Sequence, residues 1–381
     1  MPITRGSRLK ALLLLLVVLS LVAILARSLV KDPLLQTWSS GVPVAASAVS
    51  PDGKTLAVGL IDGTIQLRQL PTGTVIRSWQ RSSLPLWALA ISPDGQWLAT
   101  SNSSNGVVEV WRLPSGDLAT QLGAATRDEV SSLAFSPDSR RLAAGDTSSV
   151  SLWQISDKTI VHTLVRGTKQ GSFSAGGERG WRVIGTTAVC FSPDGELLAS
   201  SSNRAIQLWQ TNSGDLVQTL VQPGLLATTV DSDHGGYSAE AIQSLAFSPD
   251  GHILAAGSGS SDMEETGGYY GEDHAVRIWA ISDGQLLHTF TEPLYAVASV
   301  AFSPDGALLA AAGGRHDLNS SEPPWLDNTD WGIRLWRLSD NRLIRTLEGH
   351  KNFVPSIGFG PDGQTLVSGS EDGTVRLWNV K

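Results

Sequence analysis

Short apolar stretches recur along the chain in a fixed order, each rich in small or β-branched residues and each closed by a turn signal. One example is Val130-Ser131-Ser132-Leu133-Ala134-Phe135 before a polar corner and Leu142-Ala143-Ala144-Gly145 after it. Such runs are too short, too β-branched and too glycine-rich for helices, and they predict strands. A third run ends in Trp at Trp111, Trp153, Trp209, Trp279, Trp336 and Trp378, with Arg68 in that place in the first repeat. A fourth follows the pattern apolar, apolar, any residue, Thr or Ser, apolar, at 75–79, 118–122 (less regular), 160–164, 216–220, 286–290 and 343–347.

The corner between the first two runs is the phrase Ser-Pro-Asp-Gly or a close variant, which occurs seven times. It opens at Ser50, Ser92, Ser136 (ending in Ser139), Ser192, Ser248, Ser303 and Gly360, at intervals of 42, 44, 56, 56, 55 and 57 residues. Pro sets φ for a type I turn, Ser caps the turn backbone, and Gly tolerates the positive φ that follows. A four-strand unit repeated at that period predicts a solenoid, propeller or array.

On these motifs the chain resembles the WD40-repeat family over residues 34–381. The last repeat matches best, through Gly349-His350, Gly360-Pro361-Asp362-Gly363, Ser368 and Asp372-Gly373-Thr374-Val375-Arg376-Leu377-Trp378. The resemblance implies that His350, Ser368, Asp372 and Trp378 form a hydrogen-bonded structural tetrad rather than a site. Only this repeat has the Gly-His pair, and no repeat has Asp directly after its Trp, which departs from the family pattern.

Seven four-stranded units imply an all-β fold, a seven-bladed β-propeller of antiparallel blades, because no blade can bury both faces alone and a ring leaves few free edges. Closure is expected at the ends of the repeat array. Leu34-Leu35-Gln36-Thr37-Trp38 reads as a fourth strand without its own blade, and the last unit has only three strands. Strand 34–38 is therefore expected to complete the last blade.

The N-terminus carries a different pattern. Arg5, Arg8 and Lys10 in a basic stub (1–10) precede an uncharged apolar run over 11–26. With Lys10 and Arg27 reaching outward, 11–30 is long enough for one hydrophobic helix that anchors the chain in a membrane. The rival is a cleaved signal peptide ending near Ala26, although Ile24 is not the small residue such sites prefer. The excess of basic residues before the segment places the N-terminus in the cytoplasm and the propeller (31–381) outside it. Cleavage would instead leave a secreted or periplasmic protein.

Net charge is −8, with no basic run beyond the N-terminus, so nucleic acid is not an expected partner. The single cysteine, Cys190, excludes an internal disulfide and a cysteine-based zinc cluster, and it stands where other repeats have Ala or Gly.

The strands of a unit are lettered a to d from the centre outward. The Ser-Pro-Asp-Gly corners then join a to b, and antiparallel order puts the c–d turns on the same face. Every long insertion belongs to the opposite face: 166–186 and 222–240 between d and a, 259–274 and 314–331 between b and c. All four tyrosines, Tyr237, Tyr269, Tyr270 and Tyr295, fall there, with Trp181, Trp325 and Trp331. Aromatics without a core to fill are what binding surfaces concentrate, and these seven are the candidate partner-binding residues. The plain alternative is that they fold back and pin their own loops to the ring. The first insertion is mainly basic and the later three are mainly acidic.

No His-Glu-x-x-His, phosphate-cradling or nucleophile-elbow motif is present, and no enzyme activity, cofactor or metal is expected. Asp231-Ser232-Asp233-His234 with the carboxylates of 263–273 could gather oxygen ligands for Ca²⁺, but the spacing matches no defined calcium loop. Two functions remain open. One is a membrane-tethered scaffold that docks a protein partner on the insertion-bearing face. The other is an extracytoplasmic enzyme or small-ligand binder using the channel mouth near Trp87.

Overall fold

The computed structural model describes residues 33–102, 106–123, 128–146, 149–165, 188–201, 205–221, 242–259, 274–291, 296–314 and 331–381. The expected N-terminal helix lies outside them. Among the described residues no helix is long and apolar enough to cross a membrane.

The strands assemble into seven four-stranded antiparallel sheets, each ordered a-b-c-d. Blade 1 spans 44–80, blade 2 86–123, blade 3 130–165, blade 4 189–221, blade 5 242–290 and blade 6 296–347. Blade 7 takes its inner three strands from 356–379 and its outer strand from Leu34–Ser39, which pairs with Thr374–Asn379 in the register Leu34↔Trp378 and Trp38↔Val375. Asn379 N donates to Pro33 O and Ser40 N to Gly373 O, so the closing strand is held at both ends.

Burial explains the sequence pattern strand by strand. Strand b is covered on both faces by neighbouring blades, so Leu56, Ala57 and Val58 are all fully buried and the run does not alternate. Strand d faces water, and it is the only strand with long exposed stretches. Seven apolar clusters, one per seam, each draw on two adjacent blades. Trp153, Trp279, Trp336 and Trp378 are among the largest fully buried side chains of these clusters.

Corner geometry follows from its chemistry. In blade 1, Ser50 Oγ donates to Asp52 Oδ1 (2.6 Å) and accepts from Thr55 N (2.9 Å), while Gly53 N closes on Ser50 O (2.9 Å). The fourth residue has positive φ in every corner, including the non-glycine Ser139 (φ 60°). Ser139 Oγ accepts from Asp94 N of the preceding corner at 3.0 Å.

Strand a lines the central channel, and its inner edge has backbone groups with no ladder partner in its own blade. Serines from the preceding blade meet several of them. Ser132 Oγ accepts from Val189 N (3.1 Å), Ser244 Oγ from Val300 N (2.9 Å) and Ser299 Oγ from Ile357 N (3.2 Å). Ser356 and Ser47 bond through their hydroxyls across the closing seam at 2.7 Å. At two seams the serine has moved to the end of strand b, where Ser101 Oγ donates to Val130 O (2.8 Å) and Ser201 Oγ to Ile242 O (2.9 Å). The seam between blades 1 and 2 has Ala46 and Gly59 at these two positions and is joined by apolar packing, with Leu86 against Gly59.

Candidate functional site

The two faces of the ring differ in chemistry. The corner face is compact and acidic, with one Asp in each of the seven corners. The carboxyls of Asp52, Asp194, Asp250 and Asp305 are held below the ordinary range, chiefly by the corner serine hydroxyl and then by the following backbone amide. These charges are fixed inside their turns.

The channel is neutral. Its space of about 220 Å³ is walled by strand a of every blade, with Ser47, Ser132, Gln243, Ser299 and Trp87 among the lining residues and no Asp, Glu, His, Lys or Arg. The convergent carboxylates or His–carboxylate pair that would mark a catalytic mouth are therefore not found among the described lining residues. The lining residues come from the start and middle of strand a or just before it, away from the corner turns.

On that face, over the seam of blades 1 and 2, three large apolar side chains are exposed together: Ile61 (40%), Leu84 (39%) and Trp87 (40%). The turn that carries Ile61 meets the loop that carries Leu84. Gly63 lies so close to the next blade's entry loop that a Cβ there would sit 2.8 Å from Leu84 O, and Gln80 Nε2 donates to Asp62 O (2.6 Å). Sequence reasoning named Trp87 as a channel-mouth residue and missed Ile61 and Leu84, because neither lies in a long insertion.

Of the aromatic candidates, Trp181, Tyr237, Tyr269, Tyr270, Tyr295 and Trp325 lie outside the described residues, as does the acidic Ca²⁺ candidate. Trp331 is half-buried and packs on the core between blades 6 and 7. Among the described residues no group of three or more His, Cys, Asp or Glu gathers to hold a metal. Cys190 packs against the core between blades 4 and 5, and burial pushes its thiol pKa up, away from reactivity.

The last blade holds the tetrad residues in one relay. Trp378 Nε1 donates to Ser368 Oγ (2.8 Å), Ser368 bonds His350 Nε2 (2.7 Å), and His350 Nδ1 meets Asp372 Oδ2 (2.9 Å). In the neutral ring that burial favours, an Nδ1 proton directed at Asp372 leaves Nε2 to accept from Ser368. Burial holds the His350 pKa below its ordinary value, against the opposing pull of Asp372. Burial disfavours the charge on Asp372, but hydrogen bonds from His350 and Thr374 outweigh it and keep the carboxyl well below the ordinary range. Elsewhere the relay is shortened. Trp111 donates to Thr100 and Trp209 to Ser200, both at 2.9 Å, whereas the corresponding position beside Trp153 and Trp279 is alanine.

Blade 1 has no Trp in this slot. The buried Arg68 guanidinium there donates to Gln66 Oε1 (2.6 Å), to Gly73 O (3.3 Å) and to Ser39 O (2.7 Å) on the closing strand. Its burial lowers the Arg68 pKa.

Comparison with known proteins bears on the whole ring. A family model described as WD domain, G-beta repeat, matches residues 73–112, 117–154, 176–210, 228–280, 284–337 and 341–379. The unmatched stretch before residue 73 includes Arg68. Nuclear distribution protein PAC1 of Arthroderma otae is 28% identical over 195 residues, 51% of this chain and 35% of that protein. Target of rapamycin complex subunit wat1 of Schizosaccharomyces pombe is 34% identical over 113 residues, 29% of this chain and 31% of that protein. Ribosome biogenesis protein YTM1 of Meyerozyma guilliermondii is 23% identical over 296 residues, 74% of this chain and 59% of that protein. The chain thus spans less than two thirds of the length of these relatives.

Proposed function

The chain belongs to the WD40 family, and from that premise we propose that it is an interaction scaffold that docks a protein partner on its insertion-bearing face while its N-terminal segment holds it at a membrane. The observation that carries the docking face is the exposure of Ile61, Leu84 and Trp87 on the insertion-bearing side of blades 1 and 2. A large aromatic flanked by aliphatics is the composition of interface hot spots. One relative is by name a complex subunit, which agrees with this reading.

Tethering rests on the sequence of residues 1–32. A strand d runs from the corner face toward the insertion-bearing face, so Pro33 leaves from the corner face. The ring then rides close to the lipid with its insertions pointing away from it, because Arg27 to Pro33, even if all seven residues are extended, reach at most about 25 Å. The charge bias places the ring on the extracytoplasmic side.

The test is a crosslinked pull-down from solubilised membranes with three forms: intact, Ile61→Asp/Leu84→Asp, and a ring whose four long insertions are cut to short turns. The expected result is a partner recovered with the intact form and lost from the aspartate variant, with the trimmed ring still folded. Recovery of the same proteins by all three forms overturns the docking face. Release of the full-length chain from membranes by alkaline carbonate, with an intact N-terminus, overturns the anchor.

A further inference from the structure

The serines of the channel do two things at once. Ser132, Ser244 and Ser299 each accept a backbone N–H from the next blade, which spends a lone pair and leaves the hydroxyl hydrogen without an acceptor among the described residues. Of the bonded pair Ser47 and Ser356, one hydroxyl donates and the other keeps its hydrogen. Gln243 directs its amide nitrogen at Gly259 O (2.6 Å), which leaves its carboxamide oxygen as an acceptor. All six residues line the same channel space. Donors therefore come from blades 3, 5 and 6 and from the closing seam, and an acceptor from blade 5, around one small volume.

The volume and charge of that space limit what it accepts. About 220 Å³ is below the range of roughly 300–1,000 Å³ typical of drug-sized ligands, which favours a small ligand over a nucleotide or another large cofactor. With no charged side chain among the described lining residues, a phosphate or carboxylate would lose its hydration without an ion pair in return. A purely apolar ligand would leave the hydroxyls and the carboxamide unpaired. A compact neutral molecule with several hydroxyls satisfies both limits. At the mouth stands Trp87, half exposed, whose indole offers a flat apolar surface for the C–H face of such a molecule.

We infer that the channel mouth is a binding site for a neutral polyhydroxyl ligand, a single sugar ring or cyclic polyol, held by the inner serines and Gln243 and covered by Trp87. This goes beyond the scaffold reading: Trp87 is common to both, but the inner serines and Gln243 belong to the channel alone and Ile61 and Leu84 to the docking face alone, so Gln243→Leu tests this site separately.

The experiment is saturation-transfer NMR on the full-length chain with D-glucose, myo-inositol and glycerol, and with D-glucose 6-phosphate as the charged counterpart. Expected is transfer to at least one neutral polyol with Kd near 1 mM, and weaker binding of the phosphate by about tenfold or more. Trp87→Ala weakens that polyol by about tenfold, with the thermal midpoint measured beside it. Gln243→Leu, a second and independent variant, does the same. No transfer from any neutral polyol at about 10 mM overturns the site and leaves a channel filled only by water. Binding that both variants leave unchanged, or that the phosphate matches, overturns it as well. The docking face is tested by Ile61→Asp and Leu84→Asp, so the two proposals fail separately.

Discussion

In blade 7 the slot at the end of strand c holds the indole of Trp378, tied through Ser368 and His350 to Asp372. In blade 1, its neighbour across the closing seam, the same slot holds the guanidinium of Arg68, tied to Gln66 and to the carbonyls of Ser39 and Gly73. The indole bonds only within its own blade. The guanidinium crosses to the strand that closes the ring. One position in the repeat can thus serve either to stiffen a blade or to join two, and the choice falls on the joining form where the ring is made from distant parts of the chain.

The largest effect is expected in blade 7. Trp378→Ala should cost about 3–5 kcal/mol in chemical denaturation, since a fully buried indole leaves a cavity. Arg68→Ala should cost about 1.5–3 kcal/mol, the range for hydrogen bonds to a charged group. It should also raise amide exchange in Leu34–Ser39 above that in the other outer strands. Unchanged protection of that strand would show that Arg68 fills space without joining the blades.

A pH series sharpens the same contrast. His350 has its pKa held below 6.5 by burial, so as pH falls the unfolded chain takes up the proton first. The stability from the neutral relay is fully present above about pH 6.5 and is lost below it. His350→Gln should flatten that limb and cost about 1–3 kcal/mol at neutral pH. An acid limb of the same steepness in both proteins would remove His350 as its source.

Next is the stitch across the closing seam. Ser356→Ala should cost about 1 kcal/mol, and Ser47→Ala should add little to it, because the two share one bond. Full additivity of the pair would argue against a shared bond. Effects of similar size are expected at the corners. Gly95→Ala has open space and should carry only the backbone penalty of a positive φ, about 1 kcal/mol. Gly53→Ala should cost measurably more, because its Cβ would lie 2.8 Å from Pro361 of blade 7. Equal thermal midpoints for the two variants would mean that the corners of blades 7 and 1 do not press on each other.

Much of the ring was legible because the corner chemistry is local. Pro, Asp and Gly act within four residues, so each hairpin announces itself, and the orphan strand before Val44 pointed to closure. The inner serines were not legible. Ser132, Ser244 and Ser299 sit inside apolar runs and look like small filler, since their partners are backbone amides of the next blade, 56 to 58 residues away. Arg68 was visible as an exception but not as a bridge, because Ser39 O offers no side-chain signal. The aromatic insertions were read from composition. Of those seven residues only Trp331 is described, and it packs inward.

The arrangement of the closing strand also sets how the protein bears load. A pull on the N-terminal segment reaches the ring at Pro33 and peels Leu34–Ser39 from its neighbour one pair at a time, starting at Leu34↔Trp378. The bonds of Ser39 O to Arg68 and of Ser40 N to Gly373 O stand at the far end of that strand and carry the load last. Force applied at Pro33 therefore meets the Leu34 end of the strand first and the Arg68 bond last, and the ring stays joined for as long as that far end holds.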